Sequence, residues 1–467
     1  MQITTLSSEL QKKLIAIVKS YPHVANIVHS IHADGGRALL VGGAVRDLLL
    51  DLPLKDLDIE VHGLSVDALE AILKNFGNVS TVGKSFGVLR LHGLDIDWSL
   101  PRADSAGRKP QVTIDQNMPL KDAFRRRDAT MNAMGIDLVT YQLVDPFNGQ
   151  KDIQQKLLRA PDAALFVEDP LRFYRIMQFI GRFGFKPDAQ LNTVCATMNL
   201  ENISTERIAD EFEKLLLKSK QPSLGIRWLD EIGRLKELLP ELYVLKNTEQ
   251  ELAWHPEGDV FEHSMQALDA AAAIECENNE QRLILLYTAL CHDVGKAVTT
   301  AIIDGRITSR LHEVKGVPIA KNLLQRMTKK VDLIDTVLKL VRYHMAPGMY
   351  VQGGARLSTY KKLADNLAPH TNLKMLANLA YADIRGRNPA RGTPLTDDIP
   401  IIDQFIAKAN EAQVLYAKEA PVLQGRDVIE YIKPGPEMGK LLASAYEIQL
   451  EEGIKDKDEL KKRVLKR

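Results

Sequence analysis

The stretch ALLVGGAVRDLLLDLPLKDLDIEVHG, residues 38–63, decides how the first third of this chain folds. RALLV, residues 37–41, has the composition of a strand. Gly42 and Gly43 follow it, letting the backbone turn sharply and bring bare N–H groups close to a ligand. AVRDLLL then predicts a helix, whose N-terminal amides favour an anion. Arg46, in its first turn, adds a full charge suited to phosphate. The next strand, DLDIEV, presents its residues alternately on two faces, so Asp56 and Asp58 point the same way, one pleat apart. Two parallel carboxylates before a phosphate cradle repel each other unless a divalent cation lies between them. Mg2+ prefers such hard oxygen ligands, shared with substrate phosphates. In LDIDWSLPR a third acid, Asp97, lies on another strand, and Arg102 follows it. Three carboxylates and two metal ions suit in-line attack of a hydroxyl on a nucleoside triphosphate. A Gly-Gly turn or an Asp-x-Asp pair alone is more often structural; the two in this order are far more specific.

The rest of the chain sets the frame. Its 467 residues predict two to four domains. Apolar residues at 45% and charged residues at 26% fit a globular protein. Lys+Arg and Asp+Glu balance at 61 each, so any nucleic-acid site is a local basic patch rather than a global field. Cys195, Cys276 and Cys291 lack metal-ligand spacing and read as free buried thiols in a reducing compartment. MQITTLSSELQKK is not a signal peptide, and no apolar run reaches the length of a membrane span, so a cytoplasmic location without membrane contact is expected. Up to about residue 145, β-rich runs (RALLVGG, DLDIEVHG, VLRLHG, LDIDWSL, YQLVD) alternate with helices, a sheet with helices packed on it. After DPFNGQKDI the patterns are helical.

These motifs resemble a known family. GGAVRDLLLDLPLKDLDIE is similar to the head signature of class II tRNA nucleotidyltransferases and bacterial poly(A) polymerases, in the DNA polymerase β superfamily. VGKSFGVLRL resembles that family's Gly-Lys-x-Phe-Gly strand entry, FRRRDATMNAM its RRDFTINA block, and EDPLRFYRIMQFIGRFGF its EDPLRxLRAxRFxxRxGF helix. LQGRDVIEYIKPGPEMGKLLASAYEIQLEEG is similar to the C-terminal segment of CCA-adding enzymes. The resemblance implies that Gly43 and Arg46 meet the triphosphate, that Gly42 and Asp47 shape the turn, and that Asp56 and Asp58 bind Mg2+ with Asp97 as the third catalytic acid. It implies that Arg127, Asp169, Arg172 and Arg175 bind ATP or CTP. Arg172, Arg175 and Arg182 fall on one helical stripe. The family reads the incoming base with an Asp and an Arg on one neck helix. Its usual Asp position is Ala123 here, with Asp122 one place earlier, so Asp122 paired with Arg125 or Arg126 is the expected reader.

A second constellation lies in the helical half. WHPEGDVFEHSMQAL carries His255 and His263, LYTALCHDVGK carries His292 and Asp293 at a helix end, SRLHEVKG carries His312, and YADIRGR carries Asp383. The adjacent His-Asp with an upstream His and a distant Asp resembles the HD phosphohydrolase superfamily. That resemblance implies that His263, His292, Asp293 and Asp383 chelate a divalent metal, with His312 as an extra ligand or phosphate contact. Imidazoles with carboxylates suit Ni2+, Co2+ or Mn2+ better than Mg2+. A degenerate HD fold kept as a tRNA-binding scaffold is the alternative.

The expected architecture is therefore α+β: a polymerase-β-like nucleotidyltransferase head with a mixed sheet, and an all-α remainder. The expected divisions are a head over 1–150, a helical neck over 151–250, an HD region over 251–390 and a helical tail over 391–467. The expected partners are the tRNA 3' end, with its acceptor and T arms, and ATP and CTP. A poly(A), CC-only or A-only enzyme would use the same chemistry; an HD phosphohydrolase with a non-catalytic head is the reading of another class.

Overall fold

The computed structural model describes residues 2–54, 56–80, 87–104, 112–390 and 392–465. Residues 82–86, most of the Gly-Lys-x-Phe-Gly resemblance, lie outside the described residues. The chain divides into two compact units, residues 1–211 and 212–467.

The first unit is built on a mixed sheet. Its strands are β1 (Gln2–Thr5), β2 (Arg37–Val41), β3 (Leu57–His62), β4 (Val79–Ser80), β5 (Val88–Leu91) and β6 (Ile96–Ser99). A short pair, β7 (Arg102–Asp104) and β8 (Val112–Ile114), stands apart, and β9 (Gly135–Asp137) and β10 (Gln142–Asp145) return to the sheet. The order is β1-β10-β9-β2-β3-β6-β5-β4, with β3 and β6 parallel and the other neighbours antiparallel. All five strand runs read from the sequence form strands here. β1, β4 and β9 were not legible, being short or polar.

Helices cover the sheet because their apolar residues recur at helical spacing. Helix Val24–Ala33 buries Val24, Ile27, Val28 and Ile31. Helix Leu120–Arg125 buries Ala123 and Phe124 into a core with Leu39, Val41, Ala133 and Val144. That insertion fixes which of its residues face out. Helix Leu171–Phe183 buries Phe173, Tyr174, Ile176, Met177 and Ile180.

The second unit is mostly helical. Helix Val260–Ala272 is buried along its whole length and packs on helices Asn279–Cys291 and Leu373–Arg385. Side-chain caps from Asp259 to the Glu262 amide (2.9 Å) and from Asn278 to the Gln281 amide (2.9 Å) start the first two. The all-α expectation for the remainder needs two corrections: Leu157–Leu158 pairs in parallel with Lys186–Pro187 in the first unit, and a hairpin forms in this one. Ala301–Ile303 and Arg306–Thr308 form an antiparallel hairpin, turned by Asp304 and Gly305 at positive φ, the Asp-Gly signature of a two-residue hairpin loop. Further on, Leu423, Val428, Met438, Ala445 and Val464 close a small core of their own. Cys195 and Cys291 are buried and Cys276 half-buried, all as free thiols. No helix among the described residues is long and apolar enough to cross a membrane.

Asp269 joins two helices of this unit, accepting from the Ser223 amide at 2.9 Å and its hydroxyl at 2.6 Å. Burial pushes its carboxyl up to about 6, against which the Ser223 hydrogen bonds act. A group raised in the folded state stabilises below its unfolded pKa and loses that contribution as pH rises through the folded value. Between pH 4 and 7, wild type should therefore lose about 3 kcal/mol relative to Asp269→Asn, which cannot ionise. Scanning calorimetry of both proteins across that range checks it; a constant gap in melting temperature would contradict the assignment.

Candidate active sites

In the first unit, β2 ends at Val41 and the helix Gly43–Leu49 begins, with Gly42 as its N-cap at φ +70°. A Cβ on Gly42 would lie 3.3 Å from an Arg127 guanidinium nitrogen, so a side chain there would both strain the backbone and crowd that cation. The turn opens onto a cavity of about 470 Å³. Gly42, Gly43 and Arg46 line one side, Asp58 and Asp97 another, and Arg126, Arg127, Asp169, Arg172, Arg175 and Arg207 most of the rest. Arg102 lines it too.

The parallel register of β3 and β6 sets Asp58 directly beside Asp97. Asp58 is exposed, yet the groups around it partly desolvate its carboxyl and push it up; Arg127 opposes this, and the Asp97 and Asp56 charges add to it. Asp56, exposed and just before β3, lies one pleat from Asp58. Asp97 is also engaged by Arg90. Carboxylates set side by side before a cationic wall are a donor set that fits a hard divalent cation shared with phosphate oxygens.

Two residues not singled out in the sequence build this wall. Glu60, the next residue on the same face of β3, is buried; its carboxylate meets Arg127 at 3.4 Å and His62 at 3.0 Å. Asp128 is buried, accepts from its neighbour Ala129 and from Asn132 (2.8 Å), and pairs with Arg175 at 2.5 Å. Burial raises the Asp128 carboxyl and Arg175 more than reverses that, leaving it below the carboxylate range. Asn132 in turn accepts from Arg46 at 2.7 Å.

Arg46 is therefore more enclosed than its sequence position implied. Its guanidinium is held by Asp47 (2.8 Å), by Asn132 and over the Phe183 ring (4.8 Å to the centroid). Arg182, third on the predicted stripe, turns away to Asp47 at 3.5 Å and does not line the cavity. Asp122 and Arg125 are not brought to the cavity either. Asp122 is exposed, and Arg125 pairs with Asp162 at 2.6 Å. The Asp and Arg that do share the cavity, three residues apart, are Asp169 and Arg172. Asp169 accepts from the Leu171 amide at 3.2 Å and faces Arg207 at 3.7 Å; Arg172 donates to the Leu165 carbonyl.

The four HD residues converge in the second unit, His263, His292 and Asp293 buried within a helical bundle and Asp383 half-buried beside them. His263 Nε2 lies 3.1 Å from His292 Nε2, 3.2 Å from Asp383 and 3.5 Å from Asp293. His292 Nε2 lies 3.4 Å from Asp293. Donors around an ion at about 2.0–2.2 Å are spaced by roughly 3 Å, so His263, His292 and Asp293 suit one ion, with Asp383 beside His263. Asp293 and Asp383 lie well below the carboxylate range: burial raises both, and Lys296 with His292, or Arg387 with His263, outweighs it.

Each imidazole is aimed from its far side. His292 Nδ1 donates to the Ala289 carbonyl at 2.8 Å, and His263 Nδ1 lies 2.8 Å from Glu257. Burial raises the Glu257 carboxyl, and its hydrogen bonds from His255 and His263 bring it down to about 2, so it only accepts. With both Nδ1 atoms protonated, both Nε2 lone pairs face the centre, the arrangement of metal-ligating histidines. His312 reaches the centre because Gly295 has no side chain: a Cβ there would lie 2.1 Å from the His312 carbonyl. His344 and Glu257 were not singled out in the sequence. Above the centre, a cavity of about 420 Å³ is lined by Lys296, Arg310, Arg387, His255, His312 and the exposed Trp254. Its cations suit a phosphate.

Comparison with known proteins follows these two sites. The poly A polymerase head domain matches residues 38–159, the HD domain residues 260–370, and the probable RNA and SrmB-binding site of polymerase A residues 189–245. A multifunctional CCA protein of Halorhodospira halophila is 31% identical over 424 residues, covering 87% of this chain and 94% of that protein. The chain belongs to the multifunctional CCA protein family. Among solved structures, a Bacillus stearothermophilus CCA-adding enzyme in complex with CTP has a TM-score of 0.64 at 21% identity, covering 94% of this chain and 96% of that one. A Thermotoga maritima CCA-adding enzyme complexed with tRNA-CCA has a TM-score of 0.60 at 19% identity, covering 100% and 99%. These two share the fold of this family member, α+β at the head and mostly helical beyond.

Proposed function

We propose that this chain builds or repairs the 3'-terminal CCA of tRNA from CTP and ATP, and that its HD centre is an auxiliary metal-dependent phosphohydrolase. The observation that carries the first part is the head cavity, where Asp58 and Asp97 face a wall of arginines beside a Gly-Gly helix start. Asp58 and Asp97, with Asp56 beside them, would hold Mg2+, which supplies charge neutralisation at the triphosphate and activation of the attacking hydroxyl. Arg127, steadied by Glu60, and Arg175, steadied by Asp128, face the phosphates. Arg46 orders the turn through Asp47 and Asn132. In the HD centre, His263, His292, Asp293 and Asp383 would hold an ion that can activate water against a phosphoester. Lys296, Arg310 and Arg387 would orient the phosphate.

We assign base reading to Asp169 and Arg172 rather than to Asp122 and Arg125. A carboxylate accepts from the exocyclic amine of C or A, and a guanidinium donates to the adjacent ring nitrogen; G and U present the opposite pattern. Asp169→Ala should relax discrimination against UTP and GTP by about 1–3 kcal/mol, the worth of a good bidentate base contact. Asp122→Ala should leave it unchanged. Single-nucleotide incorporation on tRNA lacking its 3' end, with each labelled NTP in turn, tests both. The same assay tests the main proposal: successive C, C and A addition is expected, and A alone or runs of A would replace it with an A-only or poly(A) enzyme.

A further inference from the structure

Strand β3 carries a second acid in the head cavity, set deeper than Asp58. Asp58, Glu60 and His62 alternate onto one face of the strand, each about 6.6 Å from the next. Asp58 is exposed, whereas Glu60 lines the same cavity with only 1% of its surface open. The Glu60 carboxylate is divided between two partners. His62 Nε2 donates to Oε1 at 3.0 Å, and Arg127 Nη2 donates to Oε2 at 3.4 Å. Burial raises this carboxyl; the hydrogen bond from His62 and the charges around it, Arg127 foremost, more than reverse that, so Glu60 is ionised. A carboxylate charged at that depth is costly unless cations answer it.

Arg127 is the cation held between these acids. One of its Nη atoms lies against the Gly42 turn, where a Cβ would come within 3.3 Å of it, and the other reaches Glu60. Its charge also acts on Asp58, opposing the desolvation that raises that carboxyl. The contact with Glu60 is long beside the roughly 2.7–2.9 Å of a charge-assisted hydrogen bond. The Arg127 Nε–H has no partner among the described residues. Arg127 is thus tethered rather than clamped, unlike Arg175, which pairs with Asp128 at 2.5 Å. A tethered guanidinium between two carboxylates one pleat apart follows the balance of their attraction. Without the Glu60 charge, the pull of Asp58 is unopposed from β3. An Arg–carboxylate pair at Asp58 would cover the oxygens that a divalent cation needs and withdraw the guanidinium from a phosphate.

We propose that Glu60 is a positioning residue that holds Arg127 off Asp58, keeping the guanidinium for the triphosphate and the Asp58 oxygens for Mg2+. The proposal rests on the triphosphate reading of the head cavity given above.

The test is metal-free ATP binding to the full-length protein in a chelating buffer, read by isothermal titration calorimetry. Asp58→Asn removes a negative charge facing the triphosphate and should tighten binding. Glu60→Gln also removes a negative charge, yet should weaken binding about tenfold, the size of a strong coupling between neighbouring groups, because Arg127 is drawn to Asp58. The double variant should bind as Asp58→Asn does, since Asp58 no longer draws Arg127 away; a merely structural role of Glu60 would not be rescued in this way. ATP held elsewhere on the chain is common to all the proteins compared. Glu60→Asp, which keeps the charge but shortens its reach, replaces Glu60→Gln with the same expectation if circular dichroism shows the latter unfolded. If Asp58→Asn tightens binding and Glu60→Gln does not weaken it, or if the double variant stays as weak as Glu60→Gln, the role of Glu60 falls and the triphosphate reading stands. If neither substitution moves binding, both fall.

Discussion

Asp58→Asn should reduce nucleotide addition by at least about 10²–10³-fold, the loss typical when one preorganised electrostatic group is removed from a reaction centre. The protein should remain folded. Asp58 lies beside Asp97 in the β3–β6 register, with Asp56 just before the strand. Its carboxyl is raised by partial desolvation and, against Arg127, by both neighbouring acids. A raised carboxyl stabilises the folded state only while protonated, and that contribution is lost as pH rises through its folded pKa. At pH 7 the ionised group is therefore a cost to folding. Asp58→Asn should melt no lower than wild type in Mg2+-free buffer, while tRNA end-labelling collapses. Addition near the wild-type rate would remove Asp58 from the reaction, and a large drop in melting temperature would make it a structural residue instead.

The contrast between Asp58 and Asp122 shows what the chain reveals before it folds. Strand alternation is a local rule, so the period of two relates Asp58 to Glu60 on one face of β3. Asp97 comes beside Asp58 only through the β3–β6 register, and Asp56 lies just before the strand. Two carboxylates in a row had overshadowed Glu60. Asp122-x-x-Arg125 and Asp169-x-x-Arg172 are indistinguishable by spacing. What separates them is tertiary: Ala123 and Phe124 are driven into the core beside Leu39 and Val41, which turns Asp122 outward and leaves Arg125 to Asp162. Arg46 was placed correctly on its helix. Its enclosure by Asn132 and Phe183 depends on side chains 86 and 137 positions away, which no local pattern reports. His344 has the plainest reason of all, since one histidine at the end of an amphipathic helix reads as ordinary until His312 is set against it. The Asp304-Gly305 turn, by contrast, carries a local signature, though it stands among helical patterns.

Asp293 carries the sharpest division between the two chemistries. It is buried, and it is the carboxylate that faces His292, His263, His312 and Lys296 together, the last at 2.7 Å. Asp293→Ala would strand the Lys296 ammonium in the interior, an uncompensated charge of the kind that costs about 3–5 kcal/mol, so loss of folding would obscure its effect. Asp293→Asn keeps the volume and one acceptor for Lys296 while removing the charge that gathers the imidazoles. Hydrolysis of a chromogenic phosphodiester with Ni2+, Co2+ or Mn2+ should fall to background in this variant, because a direct ligand is lost and the histidines alone hold the ion with fewer partners. CCA addition with Mg2+ should persist within a few-fold of wild type, since every residue lining the head cavity lies between Val41 and Arg207 and none belongs to the HD set. Asp58→Asn should give the mirror result, hydrolysis intact and addition gone. Wild type inert toward the phosphodiester with all three metals would recast the HD region as a scaffold for tRNA. Both activities silenced in a folded Asp293→Asn protein would mean that the two centres are coupled, and the assignment of separate chemistries to separate sites would fall.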